Sequence, residues 1–233
     1  MISDIHGEYD KFMEMLDIIG LNDDDTLYVL GDVLDRGPHP IKTILKLMTM
    51  PNAICMMGNH EVMAMECLSF LMQEITDDSI DNIEDTIVSN LLTWQYNGCK
   101  TTTDEFHKLN ISKRIEVLNF IKSFSLYKKV NAGGNRYLLV HAGLGNFSSD
   151  KSMDDYTVHE LVWERPNYNF RYFDDVYVVS GHTPTQTIKS NPNPGYIYRN
   201  NNHIAIDCGA CFPGGRLAAI CLDTGEEFYT TKN

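Results

Sequence analysis

Five short stretches of this chain carry side chains that can bind a metal ion or move a proton. They are Ser3-Asp4-Ile5-His6-Gly7, Gly31-Asp32-Val33-Leu34-Asp35-Arg36-Gly37, Gly58-Asn59-His60-Glu61, His141-Ala142-Gly143 and Ser180-Gly181-His182-Thr183. Imidazole and carboxylate donors suit a pair of borderline divalent ions such as Mn, Fe, Zn or Ni better than a thiolate set would. In Asp4-x-His6 both donors fall on one side of an extended segment, because alternate residues face the same way. The glycines beside the donors allow tight turns and let an anion approach the backbone closely. A lone histidine at a strand end is more often a hydrogen-bonded structural residue. Five such endings in one chain point instead to a shared metal site.

Four of the five stretches follow an apolar, strand-like run: Tyr28-Val29-Leu30, Ile54 to Met57, Tyr137 to Val140 and Val176 to Val179. In an open α/β sheet, ligands gather outside the carboxyl ends of the strands, so these endings can converge from remote parts of the chain. The connecting sequence fits. Tyr9 to Ile19 has Phe12, Met15, Leu16 and Ile19 at helical spacing, with Gly20 placed to cap the end. Pro40 opens a second amphipathic helix with Ile41, Ile44, Leu45 and Met48 on one face. This β-α-β rhythm predicts a parallel or mixed sheet covered by helices, an α/β class. From about 62 to 126 the pattern becomes helical, and we read it as an insertion within one domain spanning 1–233. Its segment Glu74 to Asp85 holds six acids and no base, read as a solvated face or, less simply, as a lid over a site. Short strands follow. Leu126 to Asn131 and Arg136 to His141 flank Ala132-Gly133-Gly134-Asn135, a hairpin signature. Val176 to Ser180, Ile204 to Asp207, Arg216 to Leu222 and Glu226 to Thr230 come after it.

Composition narrows the partners. The 233 residues carry a formal net charge of −13, which argues against nucleic acid or an anionic membrane as the main partner, since both need a basic footprint. No apolar run approaches the ~18 residues needed to span a bilayer, and Met1 leads directly to Ser3-Asp4 without a basic and apolar leader. A cytoplasmic protein is expected. The six cysteines then read as reduced thiols, and Cys208-Gly-Ala-Cys211 as structural rather than half of a zinc site. His39, His107, His159 and His203 lie outside the pattern and read as surface or packing residues. Most methionines read as core filler.

Taken in order, SDIHG, GDVLDRG, GNHE, HAG and GHT resemble the metal-dependent phosphoprotein phosphatases of the calcineurin-like metallophosphoesterase superfamily. Trp163-Glu164-Arg165, Ile206-Asp207-Cys208-Gly209-Ala210 and Gly214-Gly215-Arg216-Leu217 resemble its compact bacterial and bacteriophage branch. The resemblance implies two mixed β-sheets packed as a central sandwich flanked by helices, in four layers. It also implies two divalent ions, Mn2+ first, with Asp4 and His6 on one, Asp32 bridging, and Asn59, His141 and His182 on the other. His60 and Asp35 would be the catalytic pair. Arg36, Asn59 and Arg165 would bind phosphate, with Arg171 an alternative to Arg165, and Glu61 would support the ligands without being one.

The implied chemistry is phosphomonoester hydrolysis by a hydroxide held between the two ions, with His60 protonating the leaving oxygen. Serine and threonine phosphates on a protein are the first expected substrates, or else a small phosphoester. A dinucleoside tetraphosphate hydrolase is the alternative on the same scaffold, and a non-catalytic metal-stabilised binding protein a more distant one. The phosphoprotein preference rests on the second Asp of GDVLDRG and the Glu of GNHE. Only Met1 and Ile2 precede the first motif, where such a fold uses a buried strand of ~5 residues. The expectation there is a start placed too late or a truncated sequence, or, if the chain does begin at Met1, a frayed strand and a loosely held first metal.

Overall fold

A computed structural model describes residues 1–72 and 85–232. β1 (Leu27–Val29) and β2 (Ala53–Cys55) pair in parallel, and α2 (Pro40–Leu47) crosses between them. β8 (Ala218–Ile220) and β9 (Glu227–Tyr229) form an antiparallel pair. Ile2 joins the two pairs, bridging Val29 on one side and Ala219 on the other. Its N–H donates to Tyr28 O at 2.9 Å, and Leu30 N–H donates to Ile2 O at 3.0 Å. Ile2 is wholly buried. The first strand is therefore short but not frayed, because the two pairings hold it from both edges.

A second sheet runs β3 (Tyr127–Ala132), β4 (Asn135–Val140), β5 (Val176–Ser180), β7 (His203–Ala205), β6 (Tyr198–Asn200). Its centre, β4-β5-β7, is parallel, and an antiparallel strand closes each edge. Strand alternation sorts the side chains. Tyr137, Leu139 and Val179 turn inward to pack with Leu30, Met56, Ile206 and Ile220 between the sheets. Leu138, Val140 and Val178 turn outward, onto Leu161 and Val162 of α7 (Val158–Val162) and onto Met153 and Tyr156.

The outer face of the first sheet is covered by α1 (Tyr9–Ile19), α2, α3 (Asn59–Leu71), α4 (Asp85–Tyr96), α5 (Lys100–His107) and α6 (Ile111–Lys122). One continuous core runs through them, with Phe12, Ile44, Leu68, Trp94, Phe106 and Ile121 almost fully buried. Each such side chain is worth about 1.5–3 kcal/mol of burial. The architecture is thus two mixed sheets face to face with helices outside, as expected. Gly20 ends α1 in the left-handed region, at φ +57°. The helical stretch begins slightly earlier than expected, because Asn59 and His60 themselves open α3. The acidic segment Glu74 to Asp85 lies outside the described residues except for Asp85, the first residue of α4.

Two elements go beyond the sequence expectation. α7 is announced by Thr157-x-x-Glu160, whose side chains cap each other's backbone N–H groups. The β6–β7 hairpin turns on Asn201 and Asn202, at φ +49° and +59°, a task asparagine performs almost as readily as glycine. All six cysteines are free. No helix among the described residues is long and apolar enough to cross a membrane.

Candidate active site

The five motif segments meet at the carboxyl ends of Ile2, β1, β2, β4 and β5. Each chain must turn sharply as it leaves its strand, and the backbone records this. Among the described residues nine that are not glycine have positive φ: Asp4, His6, Asp32, Asp35, Arg36 and His182, with Asn146, Asn201 and Asn202. Asparagine tolerates that region, whereas the six site residues are held in it at a cost of about 1–3 kcal/mol each. Neighbouring loops fix them there. Asp4 N–H donates to Gly31 O, and His6 N–H to Asp32 O at 2.9 Å. Gly181 N–H donates to His141 O at 2.8 Å. The loops touch so closely that a Cβ on Gly31, at φ +86°, would lie 2.6 Å from Gly58 N.

Asp32 is at the centre. Its Oδ2 lies 3.5 Å from His6 Nε2 and 3.9 Å from His60 Nε2. Its Oδ1 lies 3.4 Å from His141 Nε2. His182 completes a second group of donors with Asp32 and His141. Asn59 Oδ1 joins that side, 3.1 Å from His141 Nε2 and 3.0 Å from His182 Nδ1. The opposite ring nitrogens of His6 and His141 face the carbonyls of Leu34 and Leu30 at 2.9 and 2.6 Å. This fixes ring orientation and leaves Nε2 for the centre. Asp4 enters neither group. Its carboxylate instead takes the Ser3 hydroxyl and the His182 backbone N–H.

Glu61 supports Asp32 through the backbone. Its carboxylate accepts from the N–H groups of Asp32, Val33, Leu34 and Gly58 at 2.7 to 3.2 Å. His60 Nδ1 meets Asp35 Oδ2 at 2.6 Å. Asp35 is in turn saturated by the helical stretch: Trp94 Nε1 donates to Oδ2 at 2.7 Å and the Thr102 hydroxyl to Oδ1 at 2.5 Å. Arg36 spans the top, with Nη1 2.7 Å from His6 Nε2 and Nη2 3.0 Å from His60 Nε2. A cavity of about 360 Å3 opens here, lined by Asp32, Arg36, Asn59, Trp163, Arg165 and His182 among others. Arg165 thus shares this cavity with Arg36 and the donors Asp32, Asn59 and His182. Arg171 is exposed and does not line this cavity.

Burial of so many like charges perturbs the centre. Burial lifts Asp4 to about 7, with Asp32 pushing the same way and His141 opposing. Burial and Asp4 hold Asp207 well above the usual carboxylate range. Burial alone would raise Asp32 too, but His141 and His60 overcome it and hold it well below. Burial opposes a proton on His141, yet the Asp32 and Asp4 carboxylates bring it up to about 10. Burial and the charge of His141 press His182 down to about 3. Buried imidazoles around a crowd of carboxylates are the donor set of a divalent-metal centre, and cations there would relieve the repulsion among Asp4, Asp32 and Asp207.

Asp4, His6, Asp32, Asp35, Arg36, Asn59, His60, His141, Arg165 and His182 are brought together here, and Arg171 is not. The structure differs in two respects, by leaving Asp4 out of the tight donor groups and by placing His60 Nε2 in one of them. Trp94, Thr102 and Asp207 are additions. The last stands in the IDCGA stretch already singled out, but nothing in the sequence aims Trp94 or Thr102 at Asp35.

Residues 1–211 match the family model described as calcineurin-like phosphoesterase. The chain belongs to that family. It is therefore a phosphoesterase-family hydrolase, and the family implies divalent metal ions. The asymmetrical bis(5'-nucleosyl)-tetraphosphatase PrpE of Halalkalibacterium halodurans is 25% identical over 94% of this chain and 88% of its own. The symmetrical bis(5'-nucleosyl)-tetraphosphatase of Acidovorax ebreus is 27% identical over 61% of this chain and 43% of its own. A Saccharomyces cerevisiae protein serine/threonine phosphatase structure matches with a TM-score of 0.58 at 14% identity, covering all of this chain and 79% of that one. That last likeness is one of fold.

Proposed function

We propose that this calcineurin-like phosphoesterase hydrolyses dinucleoside tetraphosphates or closely similar phosphoanhydrides. One observation carries the reading: the likeness to the tetraphosphatase of Halalkalibacterium halodurans runs through 94% of this chain and 88% of that enzyme. The first expectation, phosphoserine and phosphothreonine on proteins, leaned on Asp35 and Glu61. Both are wholly buried and neither lines the cavity. They serve His60 and the Asp32 loop, so they report on catalysis and say little about the substrate. Protein phosphoesters are thereby the second reading.

Divalent ions held by His6, Asp32, His141 and His182, with Asp4 and Asn59 adjoining, would supply Lewis-acid polarisation and a more acidic attacking water. The protein's own groups do the rest. Arg36 and Arg165 line the cavity, where each guanidinium can take two phosphate oxygens at once. His60 stands beside Arg36 with its far nitrogen on Asp35, and so can hold a proton at Nε2 for the departing oxygen. Asp35 keeps the ring oriented, as Trp94 and Thr102 keep Asp35.

Protein stripped with chelator and reloaded separately with Mn, Fe, Zn or Ni ions tests the proposal. Diadenosine tetraphosphate should turn over with a higher kcat/KM than a phosphoserine peptide. A peptide preferred under every metal would reverse the order of the two readings.

A further inference from the structure

The cavity above the metal donors does not stop at Arg165. A second, more open cavity of about 500 Å3 begins on the other side of that residue, between segments 165–169 and 183–190. Arg165 lines both. No carboxylate lines the second cavity, which is an exception on a chain of net charge −13. Its walls carry two cations, Arg165 and Lys189, both exposed. They also carry hydrogen-bond donors with capacity to spare. The Ser190 hydroxyl accepts from Tyr198 and keeps its own hydrogen to give. The Asn167 carboxamide oxygen accepts from Asn169 N–H, which leaves its NH2 group to donate. Thr183, directly after His182, borders the same cavity.

A groove with cations and N–H or O–H donors, no acids, and a shared arginine at the phosphate site fits a linear polyanion. We propose that it is a subsite for the phosphate chain beyond the phosphorus under attack. Arg165 would span the cleaved and the next phosphate, and Lys189 would meet the far ones. Lysine suits this position, since a compact charge on a flexible stem follows a chain of varying length. The proposal deepens the dinucleotide reading and rests on it for its natural substrate, but a phosphate chain alone is what the groove selects.

Competitive inhibition by AMP, ADP and ATP tests this, because the nucleoside is constant and only the chain grows. The reaction followed is hydrolysis of p-nitrophenyl phosphate by the metal-loaded protein, with free metal held fixed. Inhibition should strengthen with each added phosphate, and Lys189→Glu should remove about five-fold or more of the ATP advantage over AMP, an effect that salt diminishes. Lys128→Glu, an equal charge change on exposed β3, should leave the series as it is. An ATP-to-AMP ratio untouched by Lys189→Glu, or altered equally by both substitutions, overturns the subsite. If diadenosine tetraphosphate is not cleaved while p-nitrophenyl phosphate is, the dinucleotide reading falls, and the inhibitor series still decides the groove.

Discussion

At the residue scale, the arrangement around His60 separates two kinds of substrate. A serine alkoxide is a poor leaving group and needs the proton that His60 can deliver, whereas a phosphoanhydride departs as a phosphate and needs it less. His60→Asn should therefore cut turnover of an alkyl phosphomonoester by ~10²–10⁴, and of diadenosine tetraphosphate by a smaller factor. Elemental analysis of the same variant should still find the parent's metal content. A loss of metal would reassign His60 to the donor set. His141 and Asp4 make a second prediction. Held up to about 10 and about 7, both carry protons at pH 6 without metal, and His141 alone does at pH 8. Metal binding must displace them. Calorimetric titration in buffers of different ionisation enthalpy should register more protons released at pH 6 than at pH 8. The donors could be read in the sequence because histidine and carboxylate at strand ends, hedged by glycine, have few other uses. Trp94 and Thr102 could not. A tryptophan in an apolar helix looks like core, which it also is, and nothing local shows that its N–H is aimed at a carboxylate 59 residues earlier.

At the element scale, the helical stretch has a task in the chemistry, since α4 holds Asp35 by one hydrogen bond, from Trp94, and α5 by two, both through Thr102. Trp94→Phe keeps the ring packed but withdraws the donor. It should lower kcat about ten-fold through the loosened His60, with KM little changed and the alkaline limb of the pH–rate profile, where a proton donor is lost, displaced. A change in stability without a shift of that limb would mean Trp94 only packs. Contact between loops sets a stricter limit. A Cβ on Gly58 would run into the Asp32 carboxylate and lie 2.5 Å from the Asp32 backbone nitrogen. Gly58→Ala should then displace the central donor, and metal content should fall well below the parent's in protein that still folds. The long amphipathic helices and the Gly-Gly hairpin were legible from period and turn residues alone. The β6–β7 hairpin was not, because strands of three residues carry too little alternation and the turn uses Asn201-Asn202 where glycine is the usual signal. Ile2 was unreadable for a different reason: a one-residue link between two strand pairs has no period at all.

At the scale of the whole molecule, a net charge of −13 sets a repulsive background for a polyphosphate, against which Arg36, Arg165 and Lys189 along the two adjoining cavities would act locally. Stability should also respond to pH through His203, packed against Tyr168 and Tyr172 with its Nε2 on the Ser180 hydroxyl. Burial presses it down to about 3. Folded protein keeps it neutral where the unfolded chain takes a proton at about 6.5, so its contribution is whole above that pH and is lost on descending toward 3. Denaturant titrations between pH 6.5 and 4 should show the parent losing up to about 1.4 kcal/mol per pH unit more than a His203→Gln variant. Parallel slopes would remove His203 as the cause. The span between Asp4 and His182 has one further effect. A chain emerging from the ribosome cannot close the metal centre until β5 has been made and laid beside β4, long after Asp4 and Asp32 were synthesised. Ions captured only then act as a late clasp on finished molecules, and scarcity of metal during synthesis should lengthen the time each newborn copy spends vulnerable to proteases.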